Sequence, residues 1–140
     1  MIFSYLYLLN ETSLNPYEFK NNANLLKSGL YGFQLLNQLQ KGMDEIFKQQ
    51  VYEVAKLIPK GRVSTYGAIA KAVGYPNHSR HVGKAMGGCP EDVPAHRVIS
   101  SSGVLSVPEF QPKLEAEGLT IENLRIKNFK KLFWNPMEEL

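Results

Sequence analysis

The sequence predicts an α+β fold: a small helical domain with a winged helix-turn-helix and a short C-terminal β-hairpin. Three observations carry this. Phe47, Val51, Val54 and Ile58 recur at helical spacing, the apolar stripe of an amphipathic helix. Two short stretches with helix-starting residues follow, divided by Gly74-Tyr75-Pro76-Asn77, a turn sequence. Further on, Leu119, Ile121, Leu124 and Ile126 bracket Glu122-Asn123, the pattern of a small hairpin.

Taken in order, residues 1–42 are rich in Asn, Leu and Tyr, carry little charge and lack firm periodicity, so they read as an N-terminal extension, uncertain or disordered, with a helical turn or two from Leu30 to Leu39. A start codon assigned too far upstream would produce this change in composition. From Met43 onward the signals sharpen into a domain spanning 43–140. Asp44 is placed to cap the first helix, and Pro59-Lys60-Gly61 to end it. Val63 and Ser64 form a short extended piece, after which Ser64 or Thr65 caps a second helix carrying Tyr66, Ile69, Ala70 and Val73 on one face. Ser79 is expected to cap a third helix that runs to about Met86 and stops at Gly87-Gly88. The alternation from Val93 to Ile99 reads as a short buried strand or extended segment, and Ser100 to Gly103 as a loop. Gln111 to Glu117 reads as a compact helix, with Pro112 tolerated in its first turn and Gly118 closing it. Lys127 to Trp134 is basic and aromatic, and Asn135-Pro136 breaks it.

The 140 residues make one domain, or one domain with a tail. A net charge of +3 is only mildly basic, but Lys48 to Lys131 holds 13 Lys/Arg against 7 Asp/Glu. That permits nucleic-acid binding without requiring it. The single cysteine, Cys89, cannot form an internal disulfide, and no run approaches the roughly 20 apolar residues of a membrane span. The apolar opening Met1 to Leu9 lacks the basic start and small-residue cleavage site of a secretory signal. The expectation is a cytoplasmic, soluble, monomeric protein (nucleoid-associated in a bacterium, nuclear in a eukaryote).

Two features point to function. The third helix is unusually slim, with Gly83, Ala85, Gly87 and Gly88, and it carries few side chains suited to reading base edges. A slim helix favours close approach to a narrow minor groove. The hexapeptide Pro94-Ala95-His96-Arg97-Val98-Ile99 resembles an active-site strand of a known enzyme family, with Ala95 standing where the resemblance implies a nucleophile.

Gly61-Arg62-Val63-Ser64-Thr65-Tyr66-Gly67, then Ser79 to Met86, then Pro94 to Ile99, then Ser101-Ser102-Gly103 follow one another in order and spacing. Together they make Met43 to Trp134, roughly two-thirds of the chain, resemble the DNA-binding domain of the O6-alkylguanine-DNA alkyltransferases. Those enzymes carry a Cys where this chain has Ala95, which narrows the resemblance to the alkyltransferase-like proteins. The resemblance implies a non-enzymatic protein that docks a helix-turn-helix in the minor groove and flips O6-alkylguanine out of duplex DNA. It would hold the lesion without removing the alkyl group and flag it to nucleotide excision repair proteins. No cofactor is implied.

The resemblance also assigns roles. Alkyl transfer needs a thiolate, and His96 and Glu117 stand where the enzymes place the relay that activates it. With Ala95 they have nothing to activate and would orient the loop, or His96 is simply a core histidine. Arg80 is similar to the finger that fills the gap left by an extruded base; Tyr66 is similar to the tyrosine that turns the nucleotide out. The DNA-binding set is Tyr66, Arg80, Gly83, Lys84 and Ala85. The lesion pocket is Tyr66, Ala95, Val98, Ser101 and Ser102, with Leu105, Val107 and Phe110 as an apolar rim. The small Ala95 would leave room for adducts larger than methyl. Arg62, Lys71 and Lys84 are candidates for phosphate contacts, and Lys127, Lys130 and Lys131 either extend the basic surface or form a solvated face.

Some features depart from the enzymes. Cys89 replaces an Asn that ties the helix-turn-helix to the reactive strand, the stretch from Gly103 to Glu117 is shorter, and the enzymes' N-terminal domain has no counterpart. Cys89 has no evident base beside it, so it makes a poor displaced acceptor. His78, His81, Cys89 and His96 lack tight metal-site spacing, and no metal is expected, with a zinc site at His78, His81 and Cys89 as the alternative. Two other readings stay open: residual or different catalysis on alkylated DNA, and a winged-helix regulator that reads undamaged sequence.

Overall fold

Gly42 does not interrupt helix formation. In the computed structural model, which describes residues 30–140, the first helix α1 runs unbroken from Leu30 to Lys56. Asp44 is therefore an interior residue, not a cap; its Oδ1 accepts a hydrogen bond from Gln40 Nε2 one turn earlier, at 3.0 Å. One glycine costs a helix about 1 kcal/mol, too little to end one this long. The expectations for Met1 to Leu9, and most of the 1–42 extension, lie outside the described residues. The described residues divide into two units, one ending at Phe47 and one spanning Lys48–Leu140. In the first, Leu39, Met43 and Phe47 form a buried stripe. In the second, Val51, Tyr52, Ala55 and Ile58 are buried, while Val54, expected on the stripe, sits at its half-buried edge.

The second unit is built on a parallel strand pair. β1 (Ser64–Thr65) lies beside β2 (Val98–Ile99), with Ser64 opposite Val98 and Thr65 opposite Ile99. The crossover between them is the helix-turn-helix. Thr65, rather than Ser64, caps α2 (Tyr66–Ala72): its hydroxyl accepts from Ala68 N at 3.1 Å. The turn after α2 satisfies its last carbonyls, with Tyr75 N donating to Ala70 O and Gly74 N to Lys71 O. α3 spans Ser79–Met86. Its cap residue is His78, without a side-chain cap bond, so Ser79 is the first helical residue and not the cap. Val82, Ala85 and Met86 are its buried face.

The expected strand from Val93 is mostly absent. Pro94 has no N–H to give a ladder, and Ala95–Arg97 forms a 3-10 turn closed by Arg97 N to Pro94 O at 3.0 Å. Only Val98 and Ile99 remain extended. After a second 3-10 turn at Pro108–Phe110 comes α4 (Gln111–Ala116). Gly118, at φ +94°, lets Gly118 N reach Glu115 O and Leu119 N reach Leu114 O, closing the helix by the left-handed route that glycine takes without strain.

The hairpin pairs β3 (Ile121–Glu122) with β4 (Arg125–Ile126). Its turn residues are Asn123 and Leu124, one position later than expected, both at positive φ (50° and 61°), as the tightest hairpin turn demands. Leu124 holds this uncommon conformation because its carbonyl accepts from Leu105 N at 2.8 Å and its side chain packs on the core. That core gathers Val63, Ile99, Leu105, Leu114, Leu119, Ile121 and Ile126. The C-terminal segment closes it through α5 (Phe129–Leu132) and the buried Trp134, whose N donates to Val63 O at 2.7 Å. Asn135 does more than break the chain: its side chain caps α6 (Pro136–Glu139), which packs on α2.

Candidate functional site

α3 presents a narrow outer face. With Val82, Ala85 and Met86 turned inward, Arg80, Gly83, Lys84 and Gly87 share the opposite side at helical spacing. Arg80 and Lys84 are exposed, and the two glycines between and after them keep the surface flat. Tyr66, at the start of α2, stands against this helix: a Cβ built at Gly83 would lie 3.9 Å from the Tyr66 ring. Ala85, expected on the binding face, is only 4% exposed, and its carbonyl accepts the Tyr52 hydroxyl at 3.0 Å. Its methyl packs inward, so it serves to seat α3, and its side chain offers nothing to a ligand.

Ala95 lies on the wall of an open cleft of about 730 Å³, together with Cys89, Pro94, His96, Arg97, Phe110 and Lys113. Two charged side chains at its edge, Lys56 and Asp92, are ion-paired at 3.0 Å. Tyr66, Val98, Ser101 and Ser102 are not part of this wall. Val98 is 2% exposed and packs the strand pair. Ser101 and Ser102 are exposed in the loop after β2, where Ser100 Oγ lies 2.8 Å from Ser102 Oγ. Of the expected apolar rim, Phe110 lines the cleft and Leu105 is buried in the core instead.

Behind the cleft, Glu117 gathers donors from three directions. His96 Nε2 is 2.7 Å from its Oε1, Arg97 reaches it with Nε and Nη2 at 3.1 and 2.8 Å, and Gly61 N donates to Oε2 at 3.0 Å. The positive φ of Gly61, +82°, is what aims that N–H inward. Arg97 also donates to Ile58 O at 2.9 Å, tying the cleft wall to the end of α1. Burial pushes the Glu117 carboxyl up, but the hydrogen bonds from Arg97, Gly61 and His96, with the Arg97 charge, outweigh it and hold the group at about 2. An ionised carboxylate only accepts, so His96 is the donor in this bond, through Nε2. This is a complete base-and-orienter pair with a methyl group, Ala95, at the preceding position.

Arg97 is the participant that the sequence reading passed over. Its signal was present, since it stands beside His96 in the hexapeptide, but an arginine there reads as a surface cation until its partner is known. Conversely, Arg62, a candidate for phosphate contact, is engaged within the protein: Nη2 donates to Phe133 O at 2.6 Å and to Glu139 Oε1 at 2.9 Å. Lys71 and Lys84 are exposed. Burial pushes the half-buried Cys89 thiol up, away from thiolate. The His78 and His81 rings pack 4.9 Å apart, and among the described residues no three His, Cys, Asp or Glu side chains come together as a metal site. No helix of the described residues is long and apolar enough to cross a membrane.

Known proteins resemble this chain in sequence and in fold. The family model "6-O-methylguanine DNA methyltransferase, DNA binding domain" matches residues 46–124. A DNA base-flipping protein of Vibrio parahaemolyticus is 45% identical over 101 residues, spanning 67% of this chain and all of that protein. Alkyltransferase-like protein 1 of Schizosaccharomyces pombe is 40% identical over 107 residues, 67% of this chain and 98% of that one. Among solved structures, S. pombe Atl1 in complex with damaged DNA containing O6-carboxymethylguanine superposes with a TM-score of 0.57 at 36% identity, covering 64% of this chain and 95% of that chain.

Proposed function

The chain belongs to the 6-O-methylguanine DNA methyltransferase DNA-binding-domain family, and from that premise we propose that it binds O6-alkylguanine in duplex DNA, turns the damaged nucleotide out of the stack, and leaves the alkyl group in place. The observation that carries this reading is Ala95 on the cleft wall, next to a complete His96–Glu117 pair. Alkyl displacement needs a strong nucleophile, and a methyl side chain has no lone pair to offer. The base-flipping relatives and the lesion-containing S. pombe complex support the recognition half of the proposal.

In this reading the flat outer face of α3 enters the minor groove, with Lys84 on a phosphate. Arg80 occupies the space of the extruded nucleotide, where a planar guanidinium can stack and donate to the orphaned base. Tyr66, against Gly83, crowds the backbone beside the lesion. The extruded guanine enters the cleft, and Ala95 leaves volume for its O6 substituent. His96, held from behind by Glu117, shapes the cleft wall. A lesion held but not repaired needs another machinery to remove it, and nucleotide excision repair is the route proposed.

The test is a pair of titrations with otherwise identical duplexes containing G or O6-methylguanine. The wild-type protein is expected to bind the lesion duplex more tightly. Equal affinity for the two would overturn lesion recognition and favour a regulator that reads undamaged sequence.

A further inference from the structure

Ser101 and Ser102, expected at the lesion pocket, do not line the cleft beside Ala95, and the contacts of their loop define a second surface. β1 and β2 run parallel with Thr65 opposite Ile99, so the chain leaves both strands side by side in the same direction. Tyr66, which stands against Gly83 of α3, directly follows Thr65, and the Ser100–Ser102 loop directly follows Ile99, its partner across the strand pair. The loop in turn adjoins the C-terminal basic segment. Arg125 Nη1 donates to Ser102 O at 3.1 Å, and Gly103 packs so closely on Phe129 that an added Cβ would sit 3.2 Å from its ring. Lys130 and Lys131 follow Phe129 on α5, both exposed.

From Gly118 to Leu132 the cations Arg125, Lys127, Lys130 and Lys131 face one acid, Glu122, which is ion-paired with Lys127 at 2.6 Å. Three positive charges are left over on one short stretch, beside exposed serine hydroxyls.

From this chain of contacts we infer that Ser101, Ser102, Arg125, Lys130 and Lys131 form a second edge that grips the phosphate backbone of the same duplex, continuing past Tyr66 from the recognition helix. Exposed lysines, serine hydroxyls and an anchored arginine suit phosphate oxygens, and they carry no sequence information. The edge would lengthen the footprint and raise affinity for damaged and undamaged DNA alike. The inference rests on the proposed DNA binding, and its test separates the two.

The Lys130→Gln/Lys131→Gln double variant is compared with wild type on a lesion duplex and its undamaged counterpart across a salt series. Circular dichroism melting confirms that the variant folds. Each phosphate contact contributes about 0.9 to the slope of log affinity against log salt, so the variant's slope is expected to fall by about 2, with roughly tenfold weaker binding to both duplexes at low salt. The lesion-to-undamaged affinity ratio should not change. Unchanged slopes and affinities would overturn the inference and leave the edge to another class of partner, such as an acidic protein segment. A reduced slope in a protein that shows no lesion preference would sustain the edge and overturn the lesion reading instead.

Discussion

The outer face of α3 and the Glu117 cluster treat their charged groups in opposite ways. Every donor aimed at Glu117 comes from the protein itself: a histidine, a doubly engaged arginine and a backbone N–H. Arg80 and Lys84 lie exposed on a helix thinned by glycine. The first arrangement satisfies the fold, whereas the second leaves its donors available to a ligand. The contrast separates a cluster that serves the fold from a surface that the proposed reading assigns to binding. Glu117 still orients His96, and the same hydrogen bonds join the cleft wall to α1 through Gly61 and Ile58, so the cluster has a structural use independent of any nucleophile.

That contrast breaks first at Glu117. Glu117→Ala strands Arg97 against the cleft wall, and removing one member of a buried ion pair typically costs about 3–5 kcal/mol. Chemical denaturation should show a loss on this scale; a loss under about 1 kcal/mol would mean that the cluster does not hold the fold.

Acid titrates the same cluster. The folded-state value of Glu117 lies below its ordinary 4.5, at about 2, so its contribution is complete above the unfolded value and disappears as pH falls from about 4.5 toward 2. At 1.36 kcal/mol per unit, the loss is about 3 kcal/mol. Denaturation midpoints measured between pH 6 and pH 2 should decline through that window, and Glu117→Gln should flatten the decline.

On the α3 side the order of effects reverses. Arg80→Ala should weaken lesion binding by about 1–3 kcal/mol, the scale of unstacking and good base contacts. Its stability should stay within about 0.5 kcal/mol of wild type, as for other exposed substitutions. Gly83→Ala sharpens the point further. The added methyl meets the Tyr66 ring at an ordinary 3.9 Å, so the fold should accept it and gain up to about 1 kcal/mol in helix propensity. DNA affinity should nevertheless fall, because the methyl thickens the face that enters the groove. A stabilised variant with unchanged affinity would remove Gly83 from the interface.

The features legible in the sequence were those written locally. Thr65, one of the two caps offered for α2, the Gly74 turn and the helix read from Gln111 to Glu117, which spans Gln111–Ala116, each depend on residues a few positions apart. The long helix was misjudged because Gly42 and Asp44 carry strong local signals that 27 residues of continuous helix override. Of the strand or extended segment read from Val93 to Ile99 only Val98 and Ile99 are a strand, because Pro94 removes a donor that the apolar alternation does not reveal. At the site, the pairing of His96 with Glu117 was expected from resemblance, whereas Arg97 and the inward turn of Ala85 depend on contacts 20 and 33 residues distant. The cleft wall without Tyr66, Val98, Ser101 and Ser102 is likewise a tertiary fact.

The most direct test of recognition without transfer uses one duplex whose O6-methylguanine carries a radiolabelled methyl group. The protein is added in excess, the bound fraction is measured, and the mixture is then denatured and the label located. The account predicts near-complete binding with all label still on the guanine in DNA. Label on the protein, at Cys89 or elsewhere, or label released as free base, would contradict it.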